Sequence, residues 1–407
     1  MAAIRPFRAL RPMPDAARRV AAVPYDVVTT DEARELAAGE PLSFLRVSRA
    51  EIDLPPGTDP YAEAVYTRAA DNLRSLRQAA PLVTEADALL YCYRLQADGH
   101  EQVGVAACYS LDEYDGGAIK KHEHTRPKKE DDRTRHMLAL RAQTGLVFLT
   151  YRATSTIDEA VDRACAGDAL FDFEASDGVR HTVWAVPPGD VRALATAFEV
   201  VPALYIADGH HRAASAARAR TTITRGSEAI QAEDTFVAVA FSHRQVRILP
   251  YHRVVRDLQG QTAEAFLDRV RAVFPVQAGG PAPTRAGEVS MYLGGAWHRV
   301  ALAEPEGASG GRAAGLDVSR LHSAILEPLL GIGDVRQDPR IDFVGGARGA
   351  AALADRVDRG EAAVAFSMFP VTVDDLMGIA DEGGIMPPKS TWFEPKLRDG
   401  LLIHPIG

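Results

Sequence analysis

Residues 205–220 read YIADGHHRAASAARAR: an apolar stretch, then Asp208, Gly209, His210, His211 and Arg212, then an alanine-rich run. The pattern predicts a strand handing over to a helix, with five polar or flexible residues at the junction. Gly209 permits a positive φ and a close backbone approach. The helix beyond it exposes unpaired N–H groups and the positive end of its dipole. Arg212 adds a donor fork suited to phosphate, and the histidines add further donors. Ala213, Ala214, Ser215, Ala216 and Ala217 let the helix pack closely on a sheet. The junction has the build of an anion site at a helix N-terminus. Asp208 is the odd member, a carboxylate beside a phosphate. It fits there as a base, or as a magnesium ligand that cancels the repulsion. Two other readings stay open. Asp208 can be a plain N-cap with histidines that satisfy local hydrogen bonds, or Asp208, His210 and His211 can hold a transition metal. Adjacent histidines point in different directions on regular structure, which weakens the metal reading.

Along the chain, strand-like and helix-like patterns alternate, which predicts an α/β (α+β) fold. AAVPYDVV, residues 21–28, reads as a strand or extended segment. Thr30 offers an N-cap to the helix DEAREL. Val65, Ala69, Leu73 and Leu76 mark a helical stripe over residues 62–79. Residues 89–95 and 102–111 read as a hairpin, and residues 125–142 as a charged helix with Pro127 in its first turn. Residues 146–151, 182–186, 203–206, 236–241 and 245–251 read as strands, and 213–219 as helix. Gly279–Gly287 and Gly307–Gly315 read as loops around a hairpin, MYLGGAWHRVAL. Alternation then resumes, with helices at 318–330, 349–357 and 373–380 and strands at 341–344 and 363–369. The expected divisions are 1–150, 151–260 and 261–407.

Two further polar clusters stand out. In KKHEHTRPKKEDDRTRH, residues 120–136, a helix from Thr125 puts Arg126, Lys129, Arg133 and His136 on one face. Glu130 and Asp132 can pair with these cations. The segment is either a solvated helix laced with ion pairs or a basic lining for an anion, with Lys121, His122, Glu123, Arg126, Glu130 and Arg133 as candidates. In IMPPKSTWFEPKLRDGL, residues 385–401, Lys389, Ser390 and Thr391 can grip phosphate, although the glycine frame of a P-loop is absent. Trp392 and Phe393 either flank a base or anchor the segment. FVGGARG, residues 343–349, is a glycine turn that close packing and phosphate explain about equally.

The net charge of −9 over 407 residues argues against general nucleic-acid binding. Cys92, Cys108 and Cys165 have no paired spacing, so neither a disulfide framework nor a zinc site is expected of them. The start lacks an apolar signal region, and no apolar run is long enough to span a membrane. A cytoplasmic protein is therefore expected.

VPYDVV, SFLRV, IKKHEHTR, QTG, YIADGHHR, IDFVGGARG and MPPKSTWFEPKL, in this order, resemble a widespread prokaryotic family of unknown function, often labelled ParB-like. The resemblance covers nearly the whole chain. DGHHR is similar to the phosphate-binding turn of the ParB/sulfiredoxin fold, and free-serine kinases of that group carry a closely similar turn. This likeness implies a ParB/sulfiredoxin-like core elaborated by additional α/β segments. It implies that Gly209, His210, His211 and Arg212 hold phosphate and that Asp208 and His210 sit at the reaction centre. Those kinases use a glutamate of an early helix as base, which makes Glu32 or Glu35 the candidate here. The chain departs from the group in length, and histidine stands where sulfiredoxin chemistry needs cysteine. The expectation is a nucleotide-dependent phosphotransferase acting on the hydroxyl of a small metabolite, free serine first, with magnesium and ATP or ADP. A nucleotide-gated regulatory protein without turnover and a metal-dependent hydrolase are the alternatives, and a homodimer is left open.

Overall fold

The structure is a computed structural model and describes residues 2–79, 82–223, 231–302 and 311–406. It falls into two units, Met1–Val246 with Pro395–Gly407, and Arg247–Glu394. Residue 150 lies inside the first and residue 260 inside the second.

The first unit is built on a mixed sheet of nine strands. In chain order these are β1 (Ile4–Arg5), β2 (Tyr91–Ala97), β3 (His100–Ser110), β4 (Ile119–Lys120), β5 (Val147–Tyr151), β6 (Phe171–Glu174), β7 (Arg180–Ala185), β8 (Leu204–Asp208) and β9 (Thr235–Ser242). Across the sheet the order is β4-β8-β5-β9-β3-β2-β7-β6, and β1 pairs with β3. Only β4 with β8 and β5 with β9 run parallel. The sequence of β9, TFVAVAFS, explains its central place, because every residue is buried and a strand covered on both faces needs a continuous apolar run. β2 and β3 form the expected hairpin, whose turn is closed by Asp98 and Gly99 at positive φ.

The longer helices of this unit are α1 (Thr30–Leu36), α2 (Glu63–Ala79), α3 (Pro127–Leu140), α4 (Ser155–Ala164), α5 (Pro188–Glu199) and α6 (His210–Thr222). α2 buries the expected stripe of Val65, Ala69, Leu73 and Leu76. α6 buries Ala213, Ala214, Ser215, Ala216 and Ala219. Those small side chains bring it close enough to α3 for Ser215 Oγ to donate to the Glu130 carbonyl at 3.0 Å.

Two local expectations need correction. Residues 21–28 form turns after an isolated bridge from Ala22 to Asp399 instead of a strand; Pro24 removes a donor from the ladder. The cap of α1 is Thr29, one residue earlier than expected, in a reciprocal capping box with Glu32.

The second unit carries a six-stranded antiparallel sheet. Its strands are β10 (Tyr251–Val255), β11 (Val276–Ala278), β12 (Glu288–Leu293), β13 (Ala296–Ala301), β14 (Ile341–Gly345) and β15 (Val364–Met368), in the order β11-β13-β12-β15-β10-β14. α7 (Ala263–Val273), α8 (Ala351–Asp358) and α9 (Val373–Asp381) accompany it. The expected hairpin is β12–β13. The helix expected at 318–330 is present but interrupted by a π-helical turn at His322–Leu326. The strand expected at 245–251 shrinks to Ile248–Leu249, paired with Trp392–Phe393. Of the loop expected at Gly307–Gly315, residues 307–310 lie outside the described residues, and Gly311–Ala314 is a short helix. No helix among the described residues is long and apolar enough to cross a membrane.

Candidate functional site at the N-terminus of α6

β8 ends at Asp208, and Gly209 turns the chain into α6 at φ 94°, a left-handed conformation that favours glycine. No side chain caps this helix start, so its leading N–H groups point out of the turn without an intrahelical acceptor. The short parallel strand β4 lies beside β8, with Ile119 opposite Leu204 and Lys120 opposite Tyr205. Register therefore carries the following residues, Lys121, His122 and Glu123, to the same end of the sheet as the α6 N-terminus. The His122 amide donates to His210 Nε2 at 3.4 Å, and the two imidazoles meet edge to face with centroids 4.4 Å apart. Glu123 Oε2 lies 4.0 Å from His210 Nδ1. Lys121 lies over the Tyr114 ring at 3.7 Å.

Both imidazoles are buried, His122 at 1% and His210 at 5% exposure. Burial disfavours the charged ring, so His122 falls to about 4, with Asp208 opposing. Burial also drives His210 well below the ordinary histidine value, helped by His122. Both rings are therefore neutral at pH 7.

Asp208 is engaged on both oxygens. Oδ1 accepts from the Gly209 amide at 2.9 Å, and Oδ2 accepts from Lys396 Nζ at 2.7 Å. Burial pushes its carboxyl up, but Lys396 and Arg212 more than offset this and hold it below the usual carboxylate range. It is an anion at neutral pH. Because Lys396 already neutralises Asp208, the carboxylate does not fit a magnesium ion unless the lysine moves away.

His211 and Arg126 meet at the start of α3, where the Arg126 amide donates to His211 Nε2 at 3.0 Å. Thr125 Oγ1 and the Glu130 carboxylate bond to each other, and Glu130 also faces Arg218 at 3.5 Å. The expected single basic face of α3 does not exist as such. Arg126 is exposed as the cap residue, whereas His136 is buried and donates to the Val47 carbonyl at 2.9 Å. Arg133 bonds Asp132 at 2.8 Å and lies 4.2 Å from the Tyr25 ring centroid. The apolar stripe of Met137 and Leu140 pulls that side of the helix inward.

Arg212 also turns inward. It is 8% exposed. Nη1 donates to the Leu146 carbonyl at 2.7 Å and Nη2 to Asp26 at 3.0 Å. A cavity of about 30 Å³, room for roughly one water, is lined by Tyr25, Arg133, His136, Thr144, Arg212 and Asp399 among others. Gly145 of QTG packs tightly here, since a Cβ would sit 3.2 Å from Arg212 Cδ and 3.3 Å from Asp399 Oδ1. Burial lifts the Asp399 carboxyl to about 7, against the pull of Arg212. Its folded pKa lies above the unfolded value of about 3.9, so it contributes stability at acid pH that is lost as pH rises from about 4 to about 7. Asp399→Asn is expected to flatten that slope. The change in urea unfolding free energy between pH 4 and pH 8 should differ between the two proteins by on the order of 4 kcal/mol, at about 1.4 kcal/mol per pH unit.

The remaining expected site residues have local partners of their own. The Glu32 carboxylate accepts from the Thr29 amide at 2.8 Å. Lys389, Ser390 and Thr391 belong to the second unit. There Lys389 sits at φ 56° with its ammonium 3.5 Å from Tyr251 Oη, Ser390 Oγ donates to the Pro387 carbonyl, and Arg253 bonds the Lys389 carbonyl at 3.0 Å. Reading the sequence missed Lys396, Asp26, Tyr25 and Asp399. All four lay within stretches that stood out, Tyr25 and Asp26 in VPYDVV and Lys396 and Asp399 in IMPPKSTWFEPKLRDGL. Nothing in a linear pattern ranked Lys396 above Lys389.

Residues 4–319 match the family described as protein of unknown function (DUF1015), and the chain belongs to that family. No curated protein matches it. Among solved structures it is similar to a mutant free serine kinase in complex with AMP, at 12% identity and a TM-score of 0.38 over 74% of this chain and 92% of that one. It is also similar to C-terminally truncated SbnI from Staphylococcus aureus, at 12% and 0.37 over 72% and 85%. A conserved hypothetical protein from Pyrococcus furiosus gives 14% and 0.34 over 74% and 94%.

Proposed function

We propose that the chain is a nucleotide-dependent phosphotransferase that acts on the hydroxyl of a small metabolite, free serine being the first candidate. The observation that carries this reading is the Asp208–Lys396 pair at 2.7 Å, set at the uncapped start of α6. It places a lysine ammonium and a fixed positive helix end beside an ionised carboxylate. Phosphoryl transfer needs those parts: donors to take the phosphate oxygens and an anion to take the acceptor proton.

In this reading the amides of His210 and His211 hold the phosphates, the Gly209 amide stays on Asp208 Oδ1, and Lys396 swings from Asp208 to a phosphate oxygen. Asp208, released, takes the proton of the acceptor hydroxyl as its oxygen attacks phosphorus and the bond to the leaving nucleotide breaks. Arg212 and Arg133 act beneath this surface and hold Asp26, Tyr25 and the α3–α6 packing in place. Glu32 is spent on its capping box, so Asp208 is preferred as the base.

The test is phosphorus NMR on the purified chain with magnesium, ATP or ADP, and a pool of hydroxylated metabolites. A new phosphomonoester signal is expected, and Asp208→Asn should lower its rate of appearance by at least about a hundredfold. Nucleotide binding without turnover would instead favour a regulatory protein. Absence of both would sink the phosphate reading of this site.

A further inference from the structure

His122, Glu123 and His210 each place one donor atom so that all three lie within 4.8 Å of one another. We infer that these residues form a binding site for a divalent transition-metal ion of the zinc type. This is a different donor set from Asp208 with the adjacent histidines, and it does not depend on the phosphotransferase reading.

Three observations carry the inference. First, the donors come from separate parts of the chain, the segment after β4 and the start of α6, and the parallel pairing of β4 with β8 brings them together. The usual objection to adjacent histidines does not apply. Second, His122 is almost fully buried, yet neither ring nitrogen makes a well-aligned hydrogen bond, only an approach to the Ile206 main chain. A buried polar nitrogen without a partner is costly, and a metal bond is one way to satisfy it. Third, the chemistry of the set fits. Two imidazoles and one carboxylate suit a borderline-soft divalent ion and leave a coordination position for a further ligand.

The geometry is near closure. Donors bound to a tetrahedral zinc ion sit roughly 3.4 Å apart, from bond lengths of about 2.0–2.2 Å. His210 Nδ1 and Glu123 Oε2 are 4.0 Å apart. The imidazoles are held by burial, whereas the Glu123 side chain is 49% exposed and can swing inward. Ligation through His210 Nδ1 leaves the ring proton on Nε2 and would give up only the long 3.4 Å contact from the His122 amide. The cation would face the positive end of α6, and the Glu123 carboxylate supplies the offsetting negative charge.

The experiment uses the full chain, stripped with chelator and titrated with Zn²⁺ in magnesium-containing buffer, with Co²⁺ as a spectroscopic probe. One ion per chain is expected, with a cobalt spectrum showing nitrogen ligation. His122→Ala and His210→Ala should abolish stoichiometric binding. Glu123→Gln, at a surface position that folding tolerates, should weaken it by at least about tenfold. His298→Ala, on β13 of the second unit, should leave it unchanged. Absence of stoichiometric binding to the wild-type chain would overturn the inference. So would binding that survives both histidine substitutions or is indifferent to Glu123→Gln. Because the readout is metal binding without nucleotide, its failure is separate from failure of the phosphorus NMR test.

Discussion

Arg212→Met is expected to destabilise the chain by about 3 kcal/mol, because it removes one partner of a largely buried ion pair and strands an Asp26 carboxylate that keeps 28% side-chain exposure. The guanidinium is 8% exposed and serves the Leu146 carbonyl and Asp26 at once. Methionine would fill much of the space but would strand both acceptors. Arg212→Lys should recover little, because a single ammonium cannot span two acceptors that a planar fork reaches together. Urea unfolding checks this, read as a lower midpoint at unchanged slope. The same variant separates two roles for this residue. If Arg212 were a phosphate clamp, as the DGHHR motif alone suggests, Arg212→Lys would leave the midpoint in place and weaken only nucleotide binding.

Lys396→Met should be the second large effect. It removes the partner of Asp208 and leaves an anion among protein groups. Asp208 keeps 30% side-chain exposure, against 13% for Lys396, so water reaches the stranded charge. The cost therefore falls below that of a fully enclosed pair, at about 2–3 kcal/mol. A double-mutant cycle with Asp208→Asn should show coupling, the double variant losing less than the two single losses combined. If the proposed function holds, Lys396→Met should also slow phosphoryl transfer more than Arg212→Lys does, when each is measured well below its own melting temperature. Equal loss of rate in the two would place Lys396 among the structural props.

The main elements of the fold are legible where a repeating pattern has one physical solution. The stripe of α2, the unbroken apolar run of β9 and the alternation through the last hundred residues each satisfy a single period. The boundaries slip where local chemistry competes, as at Thr29, whose hydroxyl and the Glu32 carboxylate complete a box that Thr30 cannot. DGHHR is legible as a junction because only a glycine at φ 94° turns a strand so abruptly into a helix.

The sequence by itself determined the α/β class, the chemistry available at residues 208–212 and the need for small residues after them. Only the tertiary structure decided which side chains face that chemistry. Sheet register placed His122 against His210, although 88 residues separate them. The C-terminal segment brought Lys396 to Asp208 across 188 residues. Burial then divided similar side chains between roles, turning Arg212 and Arg133 inward while Arg126 stayed at the surface. Charge and spacing along a chain carry no record of such pairings, because long-range contacts are fixed by how apolar faces pack and not by any local period.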